Sequence, residues 1–401
     1  MSGEKLTVET GNWIMNEGSC ADDEAVMEKI KELTFEIPEY RFLTPAERHG
    51  AIMRTFCSLR REYGALQMLL EDKSVTEIMV NGAGNVFVEK DGKICRSELY
   101  FESTEELEDI IRKMAGNVRR EINEMVPIVD ARLSDGSRIN AVYKNIALGG
   151  PVLTIRKFPE KPLEMADLLA GDSLTEEAAE FLKILVIAGY NIFISGGTSS
   201  GKTTFLNVLS GYIPQDERVI TIEDSAELQI RHIPNLVRLE CKNANSQGKG
   251  RIAMQDLVKS SLRMRPDRII VGEVRGAEVM DMIQAMNTGH DGSLCTGHAN
   301  SAAGMLKRLE AMFLQGANLP AESIRSQIAE GIDIIVHMGR LSDKTRRILE
   351  IVEVSKDLRG GNIMLNTLFK YELNSGLKRT ENEMKNILKL ERAGLAKTVQ
   401  V

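Results

Sequence analysis

The run Gly196-Gly197-Thr198-Ser199-Ser200-Gly201-Lys202-Thr203 matches G-x-x-x-x-G-K-[ST] at every fixed position, and Thr204 extends it. Each residue type has a physical task. Glycine carries no Cβ, so the backbone wraps closely around an anion and turns several N–H groups inward. A helix beginning at the lysine adds its positive N-terminal end. Lys202 is placed to reach the β- and γ-phosphates of a nucleoside triphosphate, and the Thr203 hydroxyl to ligate Mg2+. The expected ligands are a nucleoside triphosphate and Mg2+, held by residues 196–204. An accidental Gly/Ser loop would not sit between an apolar strand, 191–195, and a helix-compatible run, 204–210.

A phosphate loop serves kinases, GTPases and motors alike, so the carboxylates matter next. The apolar run Ile269-Ile270-Val271 ends in Gly272-Glu273, and the run 219–222 ends in Glu223-Asp224, with Glu227 shortly after. In a parallel sheet ligands gather at the carboxyl ends of strands, which places both acidic ends beside the nucleotide rather than on a solvated rim. Glu273 would hold Mg2+ through water or orient the attacking water. His290 and His298 lie in Thr288–His298. No third ligand stands at a spacing that would make a zinc site. Two readings stay open for each histidine, a packed side chain or a γ-phosphate sensor, since imidazole donates a hydrogen bond without a permanent charge. Arg132, Arg138 and Arg156 in the first half, and Arg263, Arg265 and Arg275 in the second, are either solvated or candidate arginine fingers.

The elements that must position these residues fall into two patterns. Residues 1–25 read as a polar flexible tail and 26–72 as a helical segment broken at Pro38 and Pro45. Over 73–156 two hairpin signals, Asp91-Gly92 and Asp135-Gly136, alternate with a helix at 105–115 and a strand at 151–156, which predicts a smaller α+β domain. The proline-bearing segment 157–163 reads as a linker. Over 164–372 short apolar strands (191–195, 219–224, 268–273, 292–297, 333–338, 348–354) alternate with helices, which predicts an α/β domain with a mainly parallel sheet. Residues 373–401 are left as a tail or helix.

Composition narrows the class. The chain has 401 residues, enough for two or three domains, and carries 51 basic against 58 acidic residues, a net charge of −7. That balance disfavours a dedicated nucleic-acid binder, so no direct nucleic-acid partner is expected. The five cysteines (Cys20, Cys57, Cys95, Cys241, Cys295) are scattered and never form C-x-x-C, which fits a reducing compartment. No signal peptide is read at the N-terminus. The longest apolar stretch, 181–194, is broken by Lys183, Gly189 and Asn191 and is too short to span a bilayer. A cytoplasmic protein, at most peripheral to a membrane, is expected.

Taken together, these segments resemble the type II/type IV secretion ATPase superfamily. Four boxes stand in that family's order: the phosphate loop at 196–204, Ile220–Asp224 with Glu227, Ile269–Arg275, and Gly289–His298. The phrases 74–82, 130–140 and 149–157 are similar to the CpaF/TadA branch, the ATPases of the tight-adherence (Flp) pilus. The resemblance covers about residues 60–355. It implies a RecA-like ATPase domain joined by a flexible linker to the N-terminal domain, with ATP hydrolysis driving pilus assembly or secretion. It implies a homo-hexamer in which one subunit's arginines reach a neighbour's nucleotide, inner-membrane platform proteins as partners, and pilin or secreted cargo moved indirectly. By motif position it makes Glu273 the Walker B carboxylate and a metal residue with Thr203, and Glu223 a candidate for activating water. It puts Lys202 at the phosphates, Arg132 and Arg138 in the N-domain arginine phrase, and His298 in the histidine box. Two alternatives stand beside the pilus motor: a type IV secretion ATPase moving DNA or effectors, and a DNA-acting RecA-like ATPase. Gly272 precedes Glu273 where helicases and GTPases carry an aspartate that holds the metal, so the resemblance does not carry their site residues over to this chain.

Overall fold

Strands buried on both faces read as continuous apolar runs, and the longest such block builds the larger of two sheets. The computed structural model describes residues 2–16, 20–90, 92–158, 161–242, 244, 249–373 and 375–398. The chain divides into two compact units, Met1–Glu160 and Lys161–Val401.

The first unit begins with α1 (Ser2–Asn16), α2 (Asp23–Glu36), α3 (Pro45–Arg60) and the short α4 (Gln67–Glu71). Thr44 starts α3 with a capping box: its hydroxyl accepts from Glu47 N while the Glu47 carboxylate accepts from Thr44 N, with Pro45 in the first turn. Then follow β1 (Val75–Asn81), β2 (Val86–Lys90), β3 (Lys93–Arg96), α5 (Thr104–Asn117), β4 (Ile128–Arg132), β5 (Arg138–Val142) and β6 (Val152–Arg156). The strands form one antiparallel sheet ordered β3-β2-β1-β6-β5-β4. Leu107, Ile111 and Met114 of α5 are buried against Ile78, Val88 and Ile155 of that sheet. Of the expected turn Asp91-Gly92, Asp91 lies outside the described residues.

The expected polar tail over 1–25 is corrected here. Residues 2–16 are a helix, and Leu6 and Thr10, one turn apart, are fully buried with Val26, Ile30 and Phe56. The apolar positions Leu6, Trp13 and Ile14 recur at helical spacing, but the polar residues between them dilute the pattern below what a sequence scan registers. Of the expected linker 157–163, Pro159 and Glu160 lie outside the described residues.

The second unit contains α6 (Met165–Ala170), α7 (Glu176–Ile187), β7 (Ile192–Gly196), α8 (Lys202–Ser210), β8 (Val219–Glu223), β9 (Leu236–Glu240), α9 (Met254–Ser261) and β10 (Arg268–Val274). It continues with α10 (Glu278–Asn287), β11 (Leu294–His298), α11 (Ala302–Gly316), α12 (Ala321–Gly331), β12 (Ile334–Arg340), β13 (Arg346–Arg359), β14 (Asn362–Glu372), β15 (Gly376–Arg379) and α13 (Leu388–Arg392). The sheet order is β15-β14-β13-β12-β7-β11-β10-β8-β9, parallel from β12 to β9 and antiparallel from β12 to β15. Alternation along each strand feeds two cores. Ile192 and Ile194 meet α7 and α8 on one face, while Phe193 meets Met305 and Leu309 of α11 on the other.

The sheet also runs beyond the expected limit at 372. Leu377 of β15 and Leu390 of α13 are buried, and the buried Glu353 carboxylate accepts hydrogen bonds from Lys385 N and Asn386 N. So residues 376–392 are packed structure, held by a carboxylate far upstream that no local pattern announces. Among the described residues, no helix is long and apolar enough to cross a membrane.

Candidate functional site

Strand β7 delivers the phosphate loop to the carboxyl edge of the parallel sheet, and the loop's backbone is bent as only small residues allow. Gly201 takes φ +93° and Ser199 φ +58°. A Cβ on Gly196 would stand 2.5 Å from both Met338 O and Ser200 Oγ. Ser200 Oγ closes the loop by donating to Gly197 O at 2.9 Å. The first turn of α8 then follows with Lys202 buried, Thr203 half-buried and Thr204 exposed. This is the curvature an anion nest needs, and α8 is long enough for its N-terminal end to act on phosphate oxygens. The residues at 196–204 fit ATP with Mg2+.

The carboxyl ends of β8, β10 and β11 meet this loop as one chain of contacts. Lys202 Nζ donates to Gly197 O at 2.9 Å and lies 3.3 Å from His298 Nδ1. Because an ammonium only donates, Nδ1 accepts and the imidazole proton sits on Nε2. Nε2 faces Glu273 Oε1 at 2.7 Å, and Glu273 Oε2 accepts from Arg275 Nη2 at 3.0 Å. Arg275 Nη1 continues to Asp224 Oδ2 at 3.7 Å. Burial holds the His298 pKa below its ordinary value, helped by the Lys202 charge and opposed by Glu273. Burial pulls the Glu273 pKa upward, but the Arg275 hydrogen bond and the charges of Arg275, His298 and Lys202 outweigh it and leave the carboxyl below its usual range. Glu273 is therefore a stable anion, suited to a cation or to water held on one.

Glu223 stands under opposite pressures. It is 2% exposed, and burial raises its pKa despite hydrogen bonds to Oε2 from Glu227 N at 2.6 Å and Leu228 N at 2.9 Å. Its buried Oε1 has no hydrogen-bond partner among the described residues. That lone acceptor with a raised pKa has the chemistry of a general base. Gly272 explains itself here: a Cβ on it would stand 3.1 Å from Glu223 Cγ. The absent aspartate leaves room for the neighbouring glutamate. The β10–β11 register slips between Val271 and Val274, so a bulge re-aims Glu273, and Thr296 Oγ1 fixes Gly272 O at 2.6 Å.

Other expected residues lie elsewhere. His290 precedes β11, at the edge opposite His298, where its Nδ1 lies 3.1 Å from Ala285 O. Arg263 and Arg265 precede β10 and so occupy that same far edge. Arg132 and Arg138 belong to the first unit, where register aligns them with Arg156: Arg132 pairs with Arg138 across β4–β5, and Arg138 with Arg156 across β5–β6. Paired residues share a face, so three like charges stand in one row. Phe158 supports the row's end, with its ring 5.5 Å under the Arg132 guanidinium and against Gly136, whose φ is +91°. Sequence reading missed Arg346. It donates Nε–H to Ser199 O at 3.1 Å from the start of β13.

The comparisons with known proteins bear on this geometry. The model of the family described as "Type II/IV secretion system protein" matches residues 60–371. The chain belongs to that family. It is accordingly an ATPase that takes ATP with Mg2+, of the class serving secretion and pilus machines. A Mycobacterium tuberculosis protein named for conjugal transfer is 35% identical over 294 residues, 72% of this chain and 83% of that one. The conjugal transfer protein TrbB of Rhizobium radiobacter is 32% identical over 295 residues, covering 72% and 86%. Among solved structures, the Legionella pneumophila ATPase DotB superposes with a TM-score of 0.53 at 22% identity, over 73% of this chain and 80% of that chain. That likeness carries the RecA-like α/β fold of this type II/IV secretion family member.

Proposed function

We propose that this protein is the motor ATPase of a tight-adherence class pilus, working as a ring of six. The observation that carries the catalytic part is the contact chain Lys202–His298–Glu273–Arg275, which gathers the phosphate loop and two strand ends into one site. Lys202 binds the β- and γ-phosphates, and Thr203 with Glu273 holds Mg2+, the ion that neutralises phosphate charge when bound. Glu223 takes the proton of the attacking water through its unpartnered Oε1. His298 senses the γ-phosphate: it is neutral, and its present partner, the Lys202 ammonium, is the group the phosphate recruits.

The row Arg132–Arg138–Arg156 supports a role in charge stabilisation. Three cationic side chains aligned in one row attract an anion through their summed charge. Arg132 and Arg138 would meet the phosphates of their own or a neighbour's nucleotide, with closure of 157–163 as the hinge. The tight-adherence reading rests on the phrases 74–82, 130–140 and 149–157. Platform proteins of an inner membrane would receive the work, with the ring at their cytoplasmic face.

A second reading, a motor for DNA or effector transfer, is favoured by the names of the relatives in conjugal transfer. ATPase rate and oligomeric mass, measured for wild type, Lys202→Ala and Glu273→Gln, test the motor. The expectation is a ring in all three with turnover in wild type alone. A host carrying Lys202→Ala that still makes surface pili would count against the pilus role, and DNA-stimulated turnover that falls steeply with salt would favour the second reading.

A further inference from the structure

Strand β12 is parallel to β7, and their register sets Met338 level with Gly196. Thus β12 runs two residues past the strand that ends in the phosphate loop, to Arg340, before turning back. The turn is fixed locally. Leu341 N donates to Thr345 O at 2.9 Å, and Asp343 Oδ1 accepts from Thr345 N at 2.9 Å and Thr345 Oγ1 at 2.7 Å. Those two bonds hold the Asp343 carboxyl below its usual pKa. The first residue of the returning strand, Arg346, pairs with Arg340 and so overhangs the loop. Its stem lies against Gly201, 3.4 Å from where a Cβ would stand.

We infer that Arg346 is a positioning residue for nucleotide binding: it clamps the Ser199 carbonyl and thereby aims the following amide into the anion nest. In a trans peptide the C=O and the N–H point to opposite sides. Holding Ser199 O outward through Arg346 Nε–H therefore turns Ser200 N–H the other way, towards the hollow that receives phosphate. The clamp also answers a conformational cost. Ser199 is a non-glycine residue at φ +58°, a left-handed conformation that side chains with a Cβ disfavour. A guanidinium bond to its carbonyl holds the strained form in the empty protein, so less ordering is left for ATP to drive. Arg346 acts through the loop and not on the reacting atoms. Its loss is felt as affinity, equally for ATP and ADP. This inference rests on the phosphate-loop reading above.

The test uses the full chain as wild type, Lys202→Ala, Arg346→Ala and Arg346→Lys. Read-outs are KM and kcat for MgATP, Kd for MgADP by calorimetry, the unfolding midpoint, and amide hydrogen exchange over 196–201 without nucleotide. Arg346→Ala is expected to raise KM and the ADP Kd by about tenfold with kcat within threefold, the signature of lost uniform binding. Its loop amides exchange faster while the unfolding midpoint stays at the wild-type value. Arg346→Lys, which keeps a donor on a long stem, recovers to within about threefold and carries the test if the alanine variant does not fold. Wild-type KM, ADP affinity and loop exchange in Arg346→Ala would overturn the clamp, as would a fall in kcat with unchanged KM. Failure of wild type itself to bind MgADP, or retention of binding by Lys202→Ala, would instead overturn the phosphate-loop reading.

Discussion

The two units treat charge in opposite ways. In the second, the strand ends beside the phosphate loop bring opposite charges together: Lys202 reaches Glu273 through His298, and Arg275 lies between Glu273 and Asp224. In the first, Arg132, Arg138 and Arg156 share a row on one sheet face, and the register continues from Arg156 to Glu77 and Glu89. Burial raises the pKa of Glu77, with Arg156 pulling the other way. A site that binds and cleaves can be balanced in advance. Like charges gathered along one row attract an anion through their summed field instead.

Substitutions break this comparison in a graded way. Lys202→Ala removes the charge that links the chain to the phosphates, and turnover with its ATP affinity should fall by about a thousandfold in a phosphate-release assay. Arg138→Ala removes the centre of the cationic row. Turnover should fall roughly a hundredfold with ATP affinity within a few-fold, the pattern of a group that acts on charge in the transition state. Gly272→Ala presses a methyl group on Glu223 Cγ and should lower kcat about tenfold, with circular dichroism unchanged.

The smallest effect is electrostatic. The folded pKa of His298 lies below the ordinary 6.5, so the unfolded chain binds that proton more readily. Stability should therefore decline as pH falls through and below about 6.5, and His298→Asn should flatten that slope in urea titrations between pH 7 and 5. The buried His337, also shifted downward by burial, keeps its own share of the slope.

What the sequence shows and what it hides follow from the reach of each signal. The phosphate loop is a contiguous motif whose geometry comes with its residue types. Glu223 and Glu273 are legible because each follows a strand run buried on two faces, Glu223 as the last residue of β8 and Glu273 as the last but one of β10. Arg346 is not legible, because its place depends on how far β12 overshoots β7, a register fact joining residues 147 positions apart. The arginine row is likewise a product of two registers, visible only once β4, β5 and β6 are paired. Helix α1 and the strand β15 escaped for a different reason: one has a diluted apolar face, and the other has four residues with a single buried leucine, Leu377.

The central claim is that a nucleotide held by the loop is cleaved through Glu223, whose burial makes it a base. Glu223→Gln keeps the shape and the acceptor for Glu227 N and Leu228 N but cannot take a proton. Single-turnover phosphate release from pre-bound MgATP, beside a binding titration, is the direct measurement. The account predicts wild-type ATP affinity with release slowed at least a hundredfold. Release at the wild-type rate from a fully bound Glu223→Gln protein would contradict it.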